Sequence, residues 1–154
     1  MKKLLVWSLF VVLFTSYAVA QDANAERRQR IAQAGFTDLD LPSGTCWTNT
    51  EAYQKEWSSA DAPTVEQWKE LYYSCKWRWD GQGYRVTGAN GNSIYLFAEG
   101  YVPEGKTSHY KVAGGYYWTA VYGEFISFDE RGVYIQHRTT SVRDRLSTCR
   151  ARKF

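Results

Sequence analysis

Between Gly83 and Leu96 the chain reads Gly-Tyr-Arg-Val-Thr-Gly-Ala-Asn-Gly-Asn-Ser-Ile-Tyr-Leu, and no other stretch restricts the possible folds as much. Tyr84, Val86 and Thr87 make a β-prone run leading in, and Ile94-Tyr95-Leu96-Phe97 makes a second leading out. Between them Gly88-Ala89-Asn90-Gly91-Asn92 tolerates positive φ, so the spacing predicts a hairpin. A helix pattern ends just before it: Val65, Trp68, Leu71, Tyr72 and Cys75 recur at helical spacings and share a face, with Pro63-Thr64-Val65-Glu66-Gln67 as the start. That stripe is expected to pack as core, because a sheet must bury one face against something.

The rest of the chain is organised around these two pieces. Phe36 to Leu41 alternates apolar and polar residues as a half-buried strand does, and Pro42-Ser43-Gly44 turns it into Thr45-Cys46-Trp47-Thr48. Asn49 to Ala62 is polar, with Tyr53 and Trp57, and reads as loop. Lys76 to Asp80 alternates Trp77 and Trp79 with charge and reads as a strand, while Phe97 to Val102 is expected to prolong the hairpin's second strand. After a polar loop, Pro103 to His109, come Gly114-Gly115 and the β-prone Tyr116 to Val121. Phe125 to Phe128 and Val133 to Ile135 flank a turn at Asp129 to Gly132, a second hairpin. Leu146 to Arg152 reads as a polar, edge-like strand. Helix beside short antiparallel strands is an α+β plan.

The first twenty residues have a different character. Met1-Lys2-Lys3, the apolar block Leu4 to Phe14 and the small residues around Ala18 and Ala20 form a secretory signal, expected to be cut after Ala20. Cleavage removes Lys2 and Lys3 and lowers the formal net charge from +3 to +1. That balance argues against a nucleic-acid binder, and no membrane span is expected once the signal is gone. Residues 21–38, with Arg27, Arg28 and Arg30, form a lead-in that is helical or disordered, and 39–154 is read as one domain. The compartment is secreted, periplasmic or outer surface. Three cysteines, Cys46, Cys75 and Cys149, suit one disulfide and one free thiol there, and spacing does not choose the pair. No C-x-x-C suggests zinc or a redox dithiol.

Five segments then occur in order: Leu39-Asp40-Leu41-Pro42-Ser43-Gly44-Thr45-x-Trp47; Pro63-Thr64-x-x-Gln67-Trp68-x-Glu70-Leu71; Cys75-x-Trp77-x-Trp79; Gly83 to Leu96; and Gly115-Tyr116-Tyr117-Trp118-Thr119. Together they resemble the Fibrobacter major paralogous domain of secreted Bacteroidetes proteins, which is related to the C-terminal domain of the Legionella collagen-like adhesin. The resemblance runs from about Leu39 to Arg152. It implies a C-type-lectin-like fold, with a small twisted antiparallel sheet, one main flanking helix and long aromatic-rich loops, and it suggests attachment to a surface polysaccharide. The chain departs from the pattern at Thr119-Ala120 and in carrying Cys46 and Cys149. Because first and last strands lie close together in such folds, the resemblance makes Cys46 with Cys149 the leading disulfide and a bridge from Cys75 to Cys149 its rival.

Catalytic and metal chemistry find little support. The calcium-binding signatures of C-type lectins are missing, with Val102-Pro103-Glu104 the nearest approach, and Asp129 and Glu130 read as turn residues. His109 and His137 lie in no metal spacing, and the paired active-site cysteines of formylglycine-generating enzymes, whose fold is related, have no counterpart. Neither an enzyme, a metal nor a cofactor is expected. Aromatic residues carry the positive case, since their rings stack on sugar faces while Asn, Asp or Arg supplies hydrogen bonds. Trp68 and Trp118 are assigned to the core. Trp57, Tyr101 and Tyr110, in predicted loops, are the candidate ligand-binding residues, with Glu99 as the one carboxylate beside them. The expected function is a non-catalytic module that binds a glycan or surface protein. The alternative is a structural or protein-interaction component of a surface assembly with no small ligand.

Overall fold

The computed structural model describes residues 19–60, 62–107 and 114–154, with nothing described of the side chains of residues 52–54. The expected signal segment lies outside them except for Val19 and Ala20. The architecture is α+β. Helix α1 covers residues 19–33 and ends at Gly35, which takes φ 76° and donates its N–H to Ala32 O. Helix α2, Val65–Ser74, starts where a capping box predicts: Thr64 Oγ1 accepts from Gln67 N and Gln67 Oε1 accepts from Thr64 N. Trp68 and Leu71 are fully buried, whereas Tyr72 is 38% exposed, so the core-facing stripe is narrower than its spacing suggests.

The strands form three sheets rather than one. Strands β1 (Thr37–Asp38) and β2 (Thr45–Trp47) pair with β11 (Ala151–Lys153). Strands β4 (Lys76–Trp79), β5 (Gly83–Thr87) and β6 (Ser93–Phe97) form a meander, with the expected hairpin closing at Thr87 opposite Ser93. The third sheet orders β3 (Ala52–Lys55), β10 (Leu146–Thr148), β7 (Gly115–Trp118), β8 (Glu124–Asp129) and β9 (Gly132–Thr139). In it β10 and β7 run parallel, with Ser147 beside Tyr117.

Several readings of the sequence are corrected by this pairing. The Phe36 to Leu41 run breaks after Asp38, because Asp40 takes φ 57° and turns both Leu39 and Leu41 into the core. The polar Asn49 to Ala62 segment contains β3, recruited by β10. Strand β6 stops at Phe97, and the chain beyond contributes isolated bridges instead, among them Gly100 to Gly115 and Val102 to Arg145. The final segment is two strands in two sheets, and Leu146 to Cys149 are buried rather than at an edge. Its hydroxyl-bearing residues look polar in sequence but are small enough to lie inside a sheet.

The motif residues turn out to hold one another. Asn90 Nδ2 and Asn92 Nδ2 both donate to Asp38 O at 2.9 Å, and Gly88 passes so close to Leu39 that a Cβ there would sit 2.1 Å from Leu39 O. On the other side of that turn, Ser43 donates its N–H and Oγ–H to the two oxygens of Glu70 on α2, at 2.7 and 2.6 Å. The hairpin, the opening turn and the helix are thus latched at a single place.

Beneath this latch lies a continuous aromatic core. Trp47 meets Trp68 edge-on at 4.9 Å, Trp68 meets Tyr117 at 5.8 Å, and Tyr117 stacks on Phe128 at 5.5 Å. Tyr84 extends the chain of rings to Trp77 and Trp79. Each such ring removes roughly 150–250 Å² from water, which makes this cluster the main stabilising element. A smaller cluster of Ile31, Phe36 and Cys46 ties α1 to β2, so the packed body includes residues before Leu39.

All three cysteines are free. The expected bridge from Cys46 to Cys149 is not formed, and the strand pleat explains why. Neighbouring side chains on β2 point to opposite faces, so Trp47 joins Cys149 in the main core while Cys46 turns to the α1 side, against Ile31 and Phe36. Cys46 Sγ accepts from Arg27 Nη2 and donates to Gly44 O. Burial raises its pKa, and burial raises that of Cys149 well above the ordinary thiol value.

Candidate functional site

The period-2 alternation of the five-stranded sheet produces two different faces. Tyr117, Ile126 and Phe128 turn into the core, and Val133 and Ile135 pack against it. The intervening residues, Tyr116 on β7, Phe125 and Ser127 on β8, and Tyr134 and Arg138 on β9, therefore share the outer face. Cross-strand register places Tyr116 beside Ser127, Phe125 beside Arg138 and Ser127 beside Tyr134.

Two adjoining clefts run over this face and meet at Tyr116. The first, of about 170 Å³, lies between Tyr101, Tyr116, Phe125 and Leu146, with Thr139 and Thr140 at its end. Tyr101 reaches it from the segment after β6, its ring 5.0 Å from that of Tyr116, and Tyr116 lies 6.0 Å from Phe125. The second, of about 400 Å³, continues past Tyr116 to Ser127, Asp129, Arg131, Tyr134 and Arg138. One end of the groove is thus aromatic and the other is polar and charged.

The charged end has an ordered pattern of partners. Asp129 accepts from Arg131 N at 2.8 Å, from Arg131 Nη2 at 3.0 Å and from Tyr134 Oη at 3.3 Å. Burial works against the Asp129 carboxylate, but the Arg131 contacts and the Tyr134 hydroxyl prevail and hold its pKa below the ordinary value. Arg131 is correspondingly neutralised. Arg138 donates to Ser127 Oγ at 3.5 Å and lies over the Tyr134 ring at 5.8 Å, with no carboxylate partner among the described residues. Tyr116 keeps its phenol proton to higher pH than an exposed tyrosine, through burial first and the neighbouring Tyr101 second.

Of the sequence candidates among the described residues, the structure brings Tyr101 alone to this groove. Trp57 is half-buried elsewhere, its Nε1 donating to Thr119 O at 3.1 Å and its ring against Tyr122 at 5.0 Å. Glu99 is exposed and lines neither cleft. Tyr110 and His109 lie outside the described residues. Tyr116, Phe125, Ser127, Tyr134 and Arg138 were missed as site residues, although alternation against the core positions of β7, β8 and β9 would have marked them.

His137 is not isolated: its Nδ1 lies 2.6 Å from Glu124 Oε2, a carboxylate that is buried and also accepts from Thr119 Oγ1 at 3.3 Å. This pair ties the edge strand β9 to the start of β8, and the Thr119 contact extends the link to the end of β7. Among the described residues no group of three His, Cys, Asp or Glu side chains is placed to hold a metal ion, and no helix is long and apolar enough to cross a membrane. No protein-family model, curated protein or solved structure matches the chain.

Proposed function

We propose that this chain is a secreted or surface-associated, non-catalytic binding module that holds a glycan or surface polymer against the outer face of its five-stranded sheet. The reading includes a C-type-lectin-like fold and kinship with the Fibrobacter major paralogous domain. One observation carries it: Tyr101, Tyr116 and Phe125 line one end of a groove whose other end presents Ser127, Tyr134 and Arg138. Aromatic faces offer apolar stacking for the C–H side of a sugar ring, and flanking hydroxyls and guanidinium groups supply donors for its oxygens. The groove stands on three strands of a rigid sheet, which suits recognition without a large ordering cost.

The protein-interaction alternative has its own observation. Strand β9, the outermost of its sheet, is eight residues long, and such an edge can accept an added strand.

A broad glycan array separates the two. The folded wild-type protein is expected to give a specific signal that falls in Tyr101→Ala and Tyr116→Ala, checked by unchanged melting, and persists in Trp57→Ala. Silence across the array, or a signal indifferent to Tyr116, refutes the glycan reading and moves attention to β9.

A further inference from the structure

Resting on the glycan reading above, we infer that the Arg138 end of the groove is a carboxylate subsite, so that the preferred ligand is an acidic sugar. The charges lining this cleft are Asp129, Arg131 and Arg138. Asp129 and Arg131 satisfy each other through three contacts to one carboxylate, the backbone N–H at 2.8 Å and the guanidinium at 3.0 and 3.3 Å. Among the described residues Arg138 is left as the uncompensated positive charge of the cleft, with a hydroxyl and an aromatic ring as its neighbours.

Those neighbours pre-orient it. The Tyr134 ring lies 5.8 Å from Arg138 Cζ, and Ser127 Oγ takes one Nη1 proton at 3.5 Å. The remaining N–H groups form a planar fork that matches the two coplanar oxygens of a carboxylate better than it matches a hydroxyl. Phe125 stands opposite Arg138 in the register and touches the Tyr116 ring at 6.0 Å, so the guanidinium borders the aromatic platform. A pyranose lying on Tyr116 would carry a ring carboxylate, as in a uronic acid, toward Arg138. A neutral sugar would offer the fork only a hydroxyl, a weaker acceptor.

The test compares trigalacturonate with its methyl ester, and 3′-sialyllactose with lactose, by titration calorimetry on the full chain. At least one acidic member is expected to bind about tenfold more tightly than its neutral counterpart, the worth of one charge-assisted contact. Arg138→Gln is expected to bring the acidic and neutral members of each pair to equal affinity, Arg138→Lys to restore part of the difference, and 0.5 M salt to weaken the acidic member alone. Equal affinity within each pair, a preference that survives Arg138→Gln, or a neutral signal with no acidic one overturns the carboxylate subsite and leaves the glycan reading standing. Indifference of both members to Tyr116→Ala overturns the groove itself, and no binding to any sugar overturns both.

Discussion

Replacing Gly88 by alanine tests the latch between the hairpin and the opening turn. Gly88 is not a left-handed residue, so backbone conformation does not demand glycine there; space does. A Cβ would stand 2.1 Å from Leu39 O, 2.7 Å from Leu39 C and 2.8 Å from Leu39 Cα, whereas ordinary contact begins near 3.4 Å. The two segments must therefore part by about 1.3 Å, or Leu39, which is fully buried, must leave its place in the core. Overpacking of this kind costs about 1–3 kcal/mol. The same displacement carries the Asn90 and Asn92 side chains, now 2.9 Å from Asp38 O, out of hydrogen-bonding range, at about 1 kcal/mol each. The expected loss is about 3–5 kcal/mol, a large share of the stability of a domain this size. Gly91 is the control: it takes φ 84° with nothing within 4 Å of a new Cβ, so Gly91→Ala should cost only about 1–2 kcal/mol of backbone strain. Guanidinium unfolding of both variants measures the ranking. If Gly88→Ala proves no more damaging than Gly91→Ala, the close approach does not organise the fold and the reasoning fails.

Glu70→Ala removes the acceptor of both Ser43 bonds, and its expected cost is about 2–3 kcal/mol as a shift in denaturant midpoint, with Glu70→Gln losing less; a neutral Glu70→Ala would show the α2 contact to be incidental. Burial, and then the charge of Glu70, push the Cys75 thiol from 9.0 up to about 11. The folded chain thus keeps this proton when the unfolded chain has released it. The stability it lends is whole below pH 9 and falls as the pH rises toward 11. Comparing denaturant midpoints at pH 8 and 10.5, Cys75→Ala is expected to lose less than the wild type; equal losses would contradict the shift.

The sequence carried the local decisions legibly. Thr64 and Gln67 announce the start of α2 because a capping box is made within four residues. Gly88 to Asn92 announces the hairpin because positive φ and Asx hydrogen bonds are short-range properties. The five segments were readable too, but their role was not: Ser43 with Glu70, and Asn90 and Asn92 with Asp38 O, show three of them fastening the scaffold, while the fifth supplies Tyr116 to the groove. Trp57 and Tyr101 had equal claims as loop aromatics. Only the packing ties Trp57 to Thr119 O and sets Tyr101 against Tyr116.

What the sequence by itself determined, then, was the α+β composition, the helix, the two hairpins and the aromatic residues that fill the interior. These follow from torsional preference and apolar period, which act between near neighbours. Tertiary structure alone decided that the last segment divides between two sheets, that β10 lies between β3 and β7, and that Cys46 and Cys149 sit in separate clusters. It also decided which side of β7, β8 and β9 became a groove, because a strand's alternation says that its faces differ but not which strands will stand beside it, and a site made from Tyr101, Tyr116, Ser127 and Arg138 exists only once long-range pairing has set their register.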